Sequence, residues 1–120
     1  MSIEAKTQAV ENYMKALNEK SYEILEALYH PEATVEDPYG TPAKKGIEDI
    51  KEFYKVGFEA GAQAELAGPV RVAGDSAAFN FNVLYNGMII EVIDVFQFDD
   101  NDKVISMKAY WSEANVKQPS

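Results

Sequence analysis

The sequence predicts an α+β fold in which three N-terminal helices pack on one face of a mainly antiparallel β-sheet. Two observations support this prediction. Apolar residues recur at helical spacing through the first half of the chain, whereas strand-like alternation, interrupted by turn residues, fills the second half. Helices that precede a run of strands in this way are segregated onto one face of the sheet.

Three helices are predicted in the first half of the chain. Helix one follows Ser2, a residue type that favours the N-cap position, and helix two begins near Ser21. Helix two must end before Pro31, because proline is not tolerated in a helix interior. Helix three follows Gly46, and the only histidine, His30, is interpreted as a residue that terminates helix two. The apolar stripes of helices one and three are formed by Ile3, Val10, Tyr13, Met14, Leu17, Ile47, Ile50, Phe53, Tyr54 and Phe58.

The strands are predicted from period-two alternation and from turn residues. A short strand at residues 33–39 breaks at a proline and glycine turn, and residues 76–85 carry a clear apolar face. Asn86 and Gly87 predict a hairpin that joins this strand to residues 88–98. Further strands are predicted at residues 63–66, 70–73 and 104–112. Because three short helices cannot fill the concave side of long twisted strands, a ligand pocket is expected.

The composition limits the classes of function. A chain of 120 residues predicts a single domain, residues 1–120. Its formal net charge of −9 argues against nucleic acid or an anionic membrane as a partner, because both attract basic surfaces. The chain has no cysteine, so thiolate catalysis and thiolate metal ligands are excluded.

Several motifs are also missing from the sequence. There is no compact spacing of metal ligands and no glycine-rich phosphate motif, so neither a metal nor a cofactor is expected. The N-terminus lacks the basic-then-apolar layout of a signal peptide, and no apolar run reaches membrane-spanning length. These features favour a cytoplasmic protein.

Asp94 breaks the pattern of the strand at residues 88–98. Its same-face neighbours at two-residue spacing are all apolar, namely Ile90, Val92, Phe96 and Phe98. An ionised carboxylate in such a row is costly, and the usual response is a raised pKa that keeps the acid neutral and able to donate a hydrogen bond. The alternative is that this face is exposed and that Glu91 or Gln97 points inward.

Asp37 and three tyrosines carry weaker signals when each is taken alone. Asp37 follows the short strand and precedes a proline, a position where a carboxylate is more often a turn or capping residue than a catalyst. Tyr13 lies on the apolar stripe of helix one and is typical of a core aromatic whose hydroxyl finds a partner. Tyr29 and Tyr54 are interpreted in the same way.

Four segments nevertheless combine into one known pattern. They are residues 34–40 (TVEDPYG), 52–54 (EFY), 92–96 (VIDVF) and 107–113 (MKAYWSE). With Tyr13 at a matching distance before Asp37, they resemble the bacterial steroid Δ5-3-ketone isomerases, or ketosteroid isomerases. These enzymes belong to a cone-shaped α+β superfamily shared with polyketide cyclases and nuclear-transport-factor-like proteins. The resemblance implies a strongly curved sheet of about six strands that forms a conical pocket, and a homodimer.

The resemblance also implies roles for particular residues. Asp37 is expected to be the general base that takes a proton from C4 of a steroid and returns it at C6. Tyr13 and a protonated Asp94 are expected to donate hydrogen bonds to the 3-keto oxygen as the dienolate forms, and a neutral aspartic acid in this role is established for ketosteroid isomerases. Such donors add no formal charge to an apolar site.

Seven further residues are expected to bind the substrate or to support its donors. Tyr54 and Tyr29 extend the hydrogen-bond network behind Tyr13. The residues expected to line the steroid slot, each with ordinary core packing as the alternative, are Phe53, Phe79, Phe81, Met107 and Trp111.

Two other functions stay open on the sequence alone. One is a related isomerase or cyclase that acts on a non-steroid ketone through the same dienolate chemistry. The other is a non-catalytic module that binds an apolar ligand, although such a module has no reason to bury Asp94. The expected partners are therefore a small apolar ketone or steroid and a second copy of the chain.

Overall fold

The structure, a computed structural model, describes residues 2–118, which contain three α-helices and an eight-stranded β-sheet. The helices are α1 (Ile3–Glu19), α2 (Tyr22–Leu28) and α3 (Ile47–Glu59). The strands are β1 (Tyr29–Glu36), β2 (Lys44–Lys45), β3 (Gln63–Leu66), β4 (Arg71–Ala73), β5 (Ser76–Tyr85), β6 (Met88–Phe98), β7 (Val104–Tyr110) and β8 (Val116–Lys117).

The sheet is mixed but mostly antiparallel. Its strands follow the order β2-β1-β7-β6-β5-β3, with β4 also paired to β5 and β8 also paired to β6. Strands β1 and β7 run parallel, whereas the other described pairs are antiparallel. These features confirm the predicted α+β class. The expectation of about six strands was too low, because the two-residue strands β2 and β8 are too short to show alternation.

Local capping explains where the helices begin, as predicted. The Ser2 hydroxyl accepts a hydrogen bond from the Ala5 amide at 2.9 Å, and the Ser21 hydroxyl accepts one from the Ile24 amide at 3.1 Å. Gly46 precedes α3 with a φ of +87°, a conformation that residues with a Cβ rarely adopt. All three helix starts are therefore encoded by residues within the helix or directly before it.

The predicted strand at residues 33–39 was wrong at both ends, because β1 spans Tyr29–Glu36. His30 lies inside this strand and does not terminate a helix. Pro31 disfavours helical backbone at the residue before it, so the chain becomes extended directly after α2. Because β1 ends at Glu36, Asp37 lies one residue beyond the strand. The predicted bounds of β4 and β7 were also one or two residues too wide.

The core lies between the helices and the concave face of the sheet. Tyr13 of α1 is at its centre and packs edge-on against Phe79, Phe81 and Phe96, with ring centroids between 5.1 and 6.2 Å apart. Edge-to-face packing matches the positive edge of one ring to the negative face of another. These contacts fix the direction in which the Tyr13 hydroxyl points.

A part-buried ion pair ties the start of α1 to the turn between β6 and β7. Lys6 Nζ lies 2.8 Å from Asp102 Oδ1 and 5.3 Å from the centroid of the Phe98 ring. Lys6 is almost fully buried, so its charge would be costly without this partner. The pair holds α1, and with it Tyr13, against the sheet.

The outer face of the sheet carries exposed apolar side chains. Leu84, Ile93 and Tyr110 are 43%, 49% and 44% exposed, and Ile93 is paired with Tyr110 across β6 and β7. Tyr39, which is also exposed, stacks on Tyr110 with ring centroids 5.1 Å apart. Because successive side chains of a strand alternate between faces, Ile93 on the outside places Asp94 on the inside.

Candidate active site

A cavity of about 320 Å³ opens between α1, α3 and the concave face of β5 and β6. Its walls are mainly apolar, and Tyr13, Asp37, Tyr54 and Trp111 bring polar atoms to them. A cavity of this size with a few convergent polar groups is typical of a small-molecule site.

Three tyrosine hydroxyls form a buried chain at the cavity wall. The hydroxyl oxygens of Tyr13 and Tyr54 are 2.9 Å apart, and those of Tyr29 and Tyr54 are 2.7 Å apart. Tyr54 comes from α3, so the chain joins α1, α3 and the first residue of β1. Burial raises the pKa of all three phenols well above the ordinary value, and they therefore remain protonated donors at neutral pH.

Asp94 is buried in the middle of β6, with only 1% of its surface exposed. It is paired with Phe79 on β5 and Ala109 on β7, so apolar residues flank it on both sides. Burial raises the pKa of its carboxyl group well above the ordinary value, and the charge of Asp37 raises it further. Within residues 2–118, neither carboxyl oxygen has a hydrogen-bond partner of good geometry. The Tyr13 hydroxyl nevertheless acts on the carboxyl group and lowers its pKa, which opposes part of the increase.

Asp37 is a half-buried carboxylate at the cavity wall, in the turn that follows β1. Its Oδ1 accepts a hydrogen bond from Trp111 Nε1 at 2.6 Å. The Tyr39 amide donates to the Ala109 carbonyl at 2.6 Å and thereby ties the turn to β7. Burial raises the pKa of Asp37, while the Trp111 hydrogen bond and the positive charge of Lys44 oppose the shift.

Lys44 is near enough for its charge to act on this carboxylate, because β2 pairs with β1 next to the turn. Its backbone partner is Val35, two residues before Asp37, and its Nζ lies 5.9 Å from the ring centroid of Phe53. Phe53 lines the cavity. The positive charge therefore stands near the cavity and favours the ionised form of Asp37.

The residues predicted for the site fall into two groups. The structure brings one group to the cavity wall: Tyr13, Asp37, Tyr54, Phe53, Phe81 and Trp111. The other group is buried and does not itself line the cavity: Asp94, Tyr29, Phe79 and Met107. Asp94 and Tyr29 nevertheless belong to the site, because the first acts electrostatically on Tyr13 and the second bonds to Tyr54.

Besides further wall residues such as Val83 and Val92, the sequence analysis missed Lys44 and Tyr85. Lys44 carries no sequence signal, because it approaches Asp37 only through the pairing of β2 with β1. Tyr85 lines the outer part of the cavity. The alternation of β5 places it on the same face as Phe79 and Phe81, and that pattern was the signal that could have identified it.

Two negative observations concern the described part of the chain. Within residues 2–118, no group of three or more His, Cys, Asp or Glu side chains is arranged to hold a metal ion. In the same range, no helix is long and apolar enough to cross a membrane.

Known proteins share both this fold and this sequence pattern. The profile of the SnoaL-like domain matches residues 10–107. A steroid Delta-isomerase from Nocardioides simplex is 38% identical over 120 aligned residues, which cover 97% of this chain and 96% of that protein. The chain therefore belongs to the SnoaL-like family, and within it to the group of the steroid Delta-isomerase.

Among solved structures, the fold is similar to that of SalBIII, an epoxide hydrolase/cyclase-like enzyme with a role in pyran ring formation in the polyether salinomycin. The two structures superpose with a TM-score of 0.88 over 97% of each chain. Their sequence identity is 21%, so the likeness concerns the fold alone. It confirms the predicted cone-shaped α+β architecture.

The burial of Asp94 predicts that its carboxyl group is protonated at pH 7. Because the folded chain binds this proton more tightly than the unfolded chain, the free energy of unfolding should fall as pH rises from about 3.9, the unfolded pKa, towards the raised folded pKa. The decrease should reach at most ~1.4 kcal/mol per pH unit. Urea unfolding of the wild type and of Asp94→Asn, which cannot titrate here, isolates this effect as their difference. Carbon-13 NMR of labelled aspartate reads the protonation state directly, and an ionised Asp94 signal at pH 7 contradicts the prediction.

Proposed function

We propose that this protein is a steroid Δ5-3-ketone isomerase, which moves a double bond from Δ5 to Δ4 through a dienolate. The observation that carries the proposal is a buried carboxyl group of raised pKa, Asp94, that interacts with both Tyr13 and Asp37 beside an apolar cavity. Kinship with a protein named steroid Delta-isomerase supports the same activity.

Asp37 is the general base of the proposed reaction. Trp111 holds its Oδ1, so the other carboxyl oxygen takes the proton from C4 of the substrate and later delivers it to C6. The electron pair of the C4–H bond forms a C3–C4 double bond and shifts the carbonyl pair onto oxygen, which gives the dienolate. Protonation at C6 leaves the double bond between C4 and C5. One proton is removed and one is returned, so the reaction consumes no other reactant.

Tyr13 is the first donor to the developing oxyanion. When its proton points at the substrate, its oxygen accepts a hydrogen bond from Tyr54, and Tyr54 in turn accepts one from Tyr29. The three hydroxyls then form one directed chain in which each donation strengthens the next. Because this chain is already assembled in the fold, little reorganisation is needed as the oxyanion forms.

Asp94 is the second donor. Its raised pKa keeps the acid neutral, and its unpaired carboxyl group has a proton to donate to the substrate oxygen. A neutral acid stabilises the oxyanion without a second negative charge beside Asp37. Asp94 is the next inward-facing residue of β6 after Val92, and Val92 lines the cavity. The substrate carbonyl must therefore enter the inner end of the cavity to reach Asp94.

Of the two alternative functions, the binding module is the weaker for a physical reason. Burial of a polar group without a partner costs about 1–3 kcal/mol, and a module that only binds apolar ligands gains nothing from that cost. An isomerase of non-steroid ketones would use the same catalytic residues and differ only in substrate shape. Turnover of 5-androstene-3,17-dione compared with that of a single-ring β,γ-unsaturated ketone distinguishes the two.

Asp37→Asn tests the proposed base. The amide keeps the size of the side chain but cannot accept the proton, so turnover of 5-androstene-3,17-dione should fall by roughly 10²–10⁴-fold. Conjugated enone absorbance measures the rate, and circular dichroism checks the fold. Glu36→Gln is the matched control, since this neighbouring carboxylate does not line the cavity and its loss should leave the rate near that of the wild type. Near-normal turnover by folded Asp37→Asn would contradict the assignment of Asp37 as the general base.

Tyr13→Phe tests the proposed oxyanion donor. The substitution keeps the ring contacts and removes the hydroxyl, so kcat should fall by roughly 10²–10³-fold with a much smaller change in KM. Tyr22→Phe is the matched control, because Tyr22 packs against Phe58 and takes no part in the hydroxyl chain. Loss of stability without loss of rate in Tyr13→Phe would identify Tyr13 as a core residue only.

We further propose that the protein forms a homodimer through the outer face of the sheet. The exposed apolar residues of that face form a surface whose contact with water is unfavourable, and a second copy of the chain would bury it. Ile93→Glu should raise the dimer dissociation constant at least roughly tenfold, because it places a charge in the apolar interface. Ile3→Glu, at an exposed position on α1, is the control. Sedimentation that finds a fully active wild-type monomer at micromolar concentration contradicts the proposal.

A further inference from the structure

The cavity has a polar inner end and an apolar middle. Tyr13 and Asp37 bring polar atoms to the inner end. Between that end and the turn of the β5–β6 hairpin, the facing side chains are apolar. They are the register pairs Phe81 with Val92 and Val83 with Ile90, and all four line the cavity.

Tyr85 follows these pairs and places a polar group at the outer end of the wall, far from those at the inner end. It lies on the same face of β5 as Phe81 and Val83, lines the cavity and is half-buried. The side-chain hydrogen bonds within residues 2–118 engage the hydroxyls of the buried tyrosine chain but not that of Tyr85. Its phenol is therefore free to bond to a ligand.

Gln63 also borders the outer end, but its side chain faces the other way. It is paired with Leu84, which is exposed on the outer face of the sheet, and paired residues share a face. Its amide group donates to the Ala62 carbonyl at 3.3 Å. Tyr85 is thus the polar side chain directed into the cavity at this end of the described structure.

The length of the strand sets the size of ligand that can reach both ends. A strand advances about 3.3 Å per residue, so Tyr85 lies roughly 13 Å along β5 from Phe81 and roughly 20 Å from Phe79. Tyr13 packs against both phenylalanines, and its hydroxyl marks the reacting end. A single ring is too short to contact residues this far apart along the strand, so the ligand must be an extended molecule such as one of several fused rings.

We propose that Tyr85 forms a distal subsite that binds a carbonyl or hydroxyl oxygen at the end of the substrate remote from the reacting ketone. The subsite rests on the function proposed above and narrows the substrate class to rigid fused-ring ketones with a second oxygen at the far end. The contact lies far from the reacting atoms and is the same in the ground state and the transition state. It therefore contributes to binding and not to kcat.

Tyr85→Phe tests the subsite, since it removes the hydroxyl and keeps the ring. Two substrates are compared: 5-androstene-3,17-dione, which has a distal oxygen, and 5-androsten-3-one, which lacks it. In the wild type the dione should bind more tightly, and Tyr85→Phe should raise its KM by about 3- to 10-fold, the range expected for one neutral hydrogen bond. The KM of the deoxy ketone and both kcat values should change by less than about twofold. Tyr22→Phe, outside the cavity, should change none of these values.

Direct binding separates failure of the subsite from failure of the isomerase proposal. Calorimetry with the conjugated ketones 4-androstene-3,17-dione and 4-androsten-3-one requires no turnover. A dione-specific loss of affinity in Tyr85→Phe supports the subsite even if the wild type proves inactive. Active enzyme with unchanged affinity, or an equal loss for both ketones, overturns the subsite and leaves the isomerase proposal standing. Failure of the wild type to bind either ketone overturns both proposals.

Discussion

The desolvation of Asp94 is the constraint on which the rest of the site depends. An aspartate in the middle of β6 must share a face with its neighbours at two-residue spacing, and that face is covered by the helices. An ionised carboxylate there would need a positive or hydrogen-bonding partner, and within residues 2–118 only the Tyr13 hydroxyl opposes the rise in pKa. The group therefore favours its neutral form, and the adjacent charge of Asp37 strengthens that preference.

The pKa values of the two carboxyl groups differ because the two residues lie at different places relative to the ends of their strands. Asp94 lies within a paired strand, whereas Asp37 lies one residue beyond β1, in a turn that is only half-buried. Trp111 and Lys44 favour the ionised form of Asp37, whereas among the described residues only the Tyr13 hydroxyl opposes the pKa shift of Asp94. Burial raises the pKa of both, but the increase is larger for Asp94, so Asp37 is the better suited of the two to act as a base.

The tyrosine chain depends on packing between distant segments. Tyr13, Tyr29 and Tyr54 come from three elements, and each hydroxyl finds its partner only when α1 and α3 lie against the sheet. The part-buried Lys6–Asp102 pair and the edge-on contacts of Tyr13 hold α1 in that position. A shift of α1 along its axis would therefore break the donor chain without changing any residue in it.

Local and periodic features were readable from the sequence alone. They include the three helix starts, the hairpin at Asn86 and Gly87, the strands of that hairpin and the apolar row around Asp94. The sequence did not reveal the two-residue strands or the true bounds of β1. Nor did it reveal the approach of Lys44 to Asp37 or the Trp111 hydrogen bond. Sequence determines residue type and periodicity, which suffice where a signal is local. Only the tertiary structure decides which side chains from distant segments meet, because those distances arise from packing that no local pattern records.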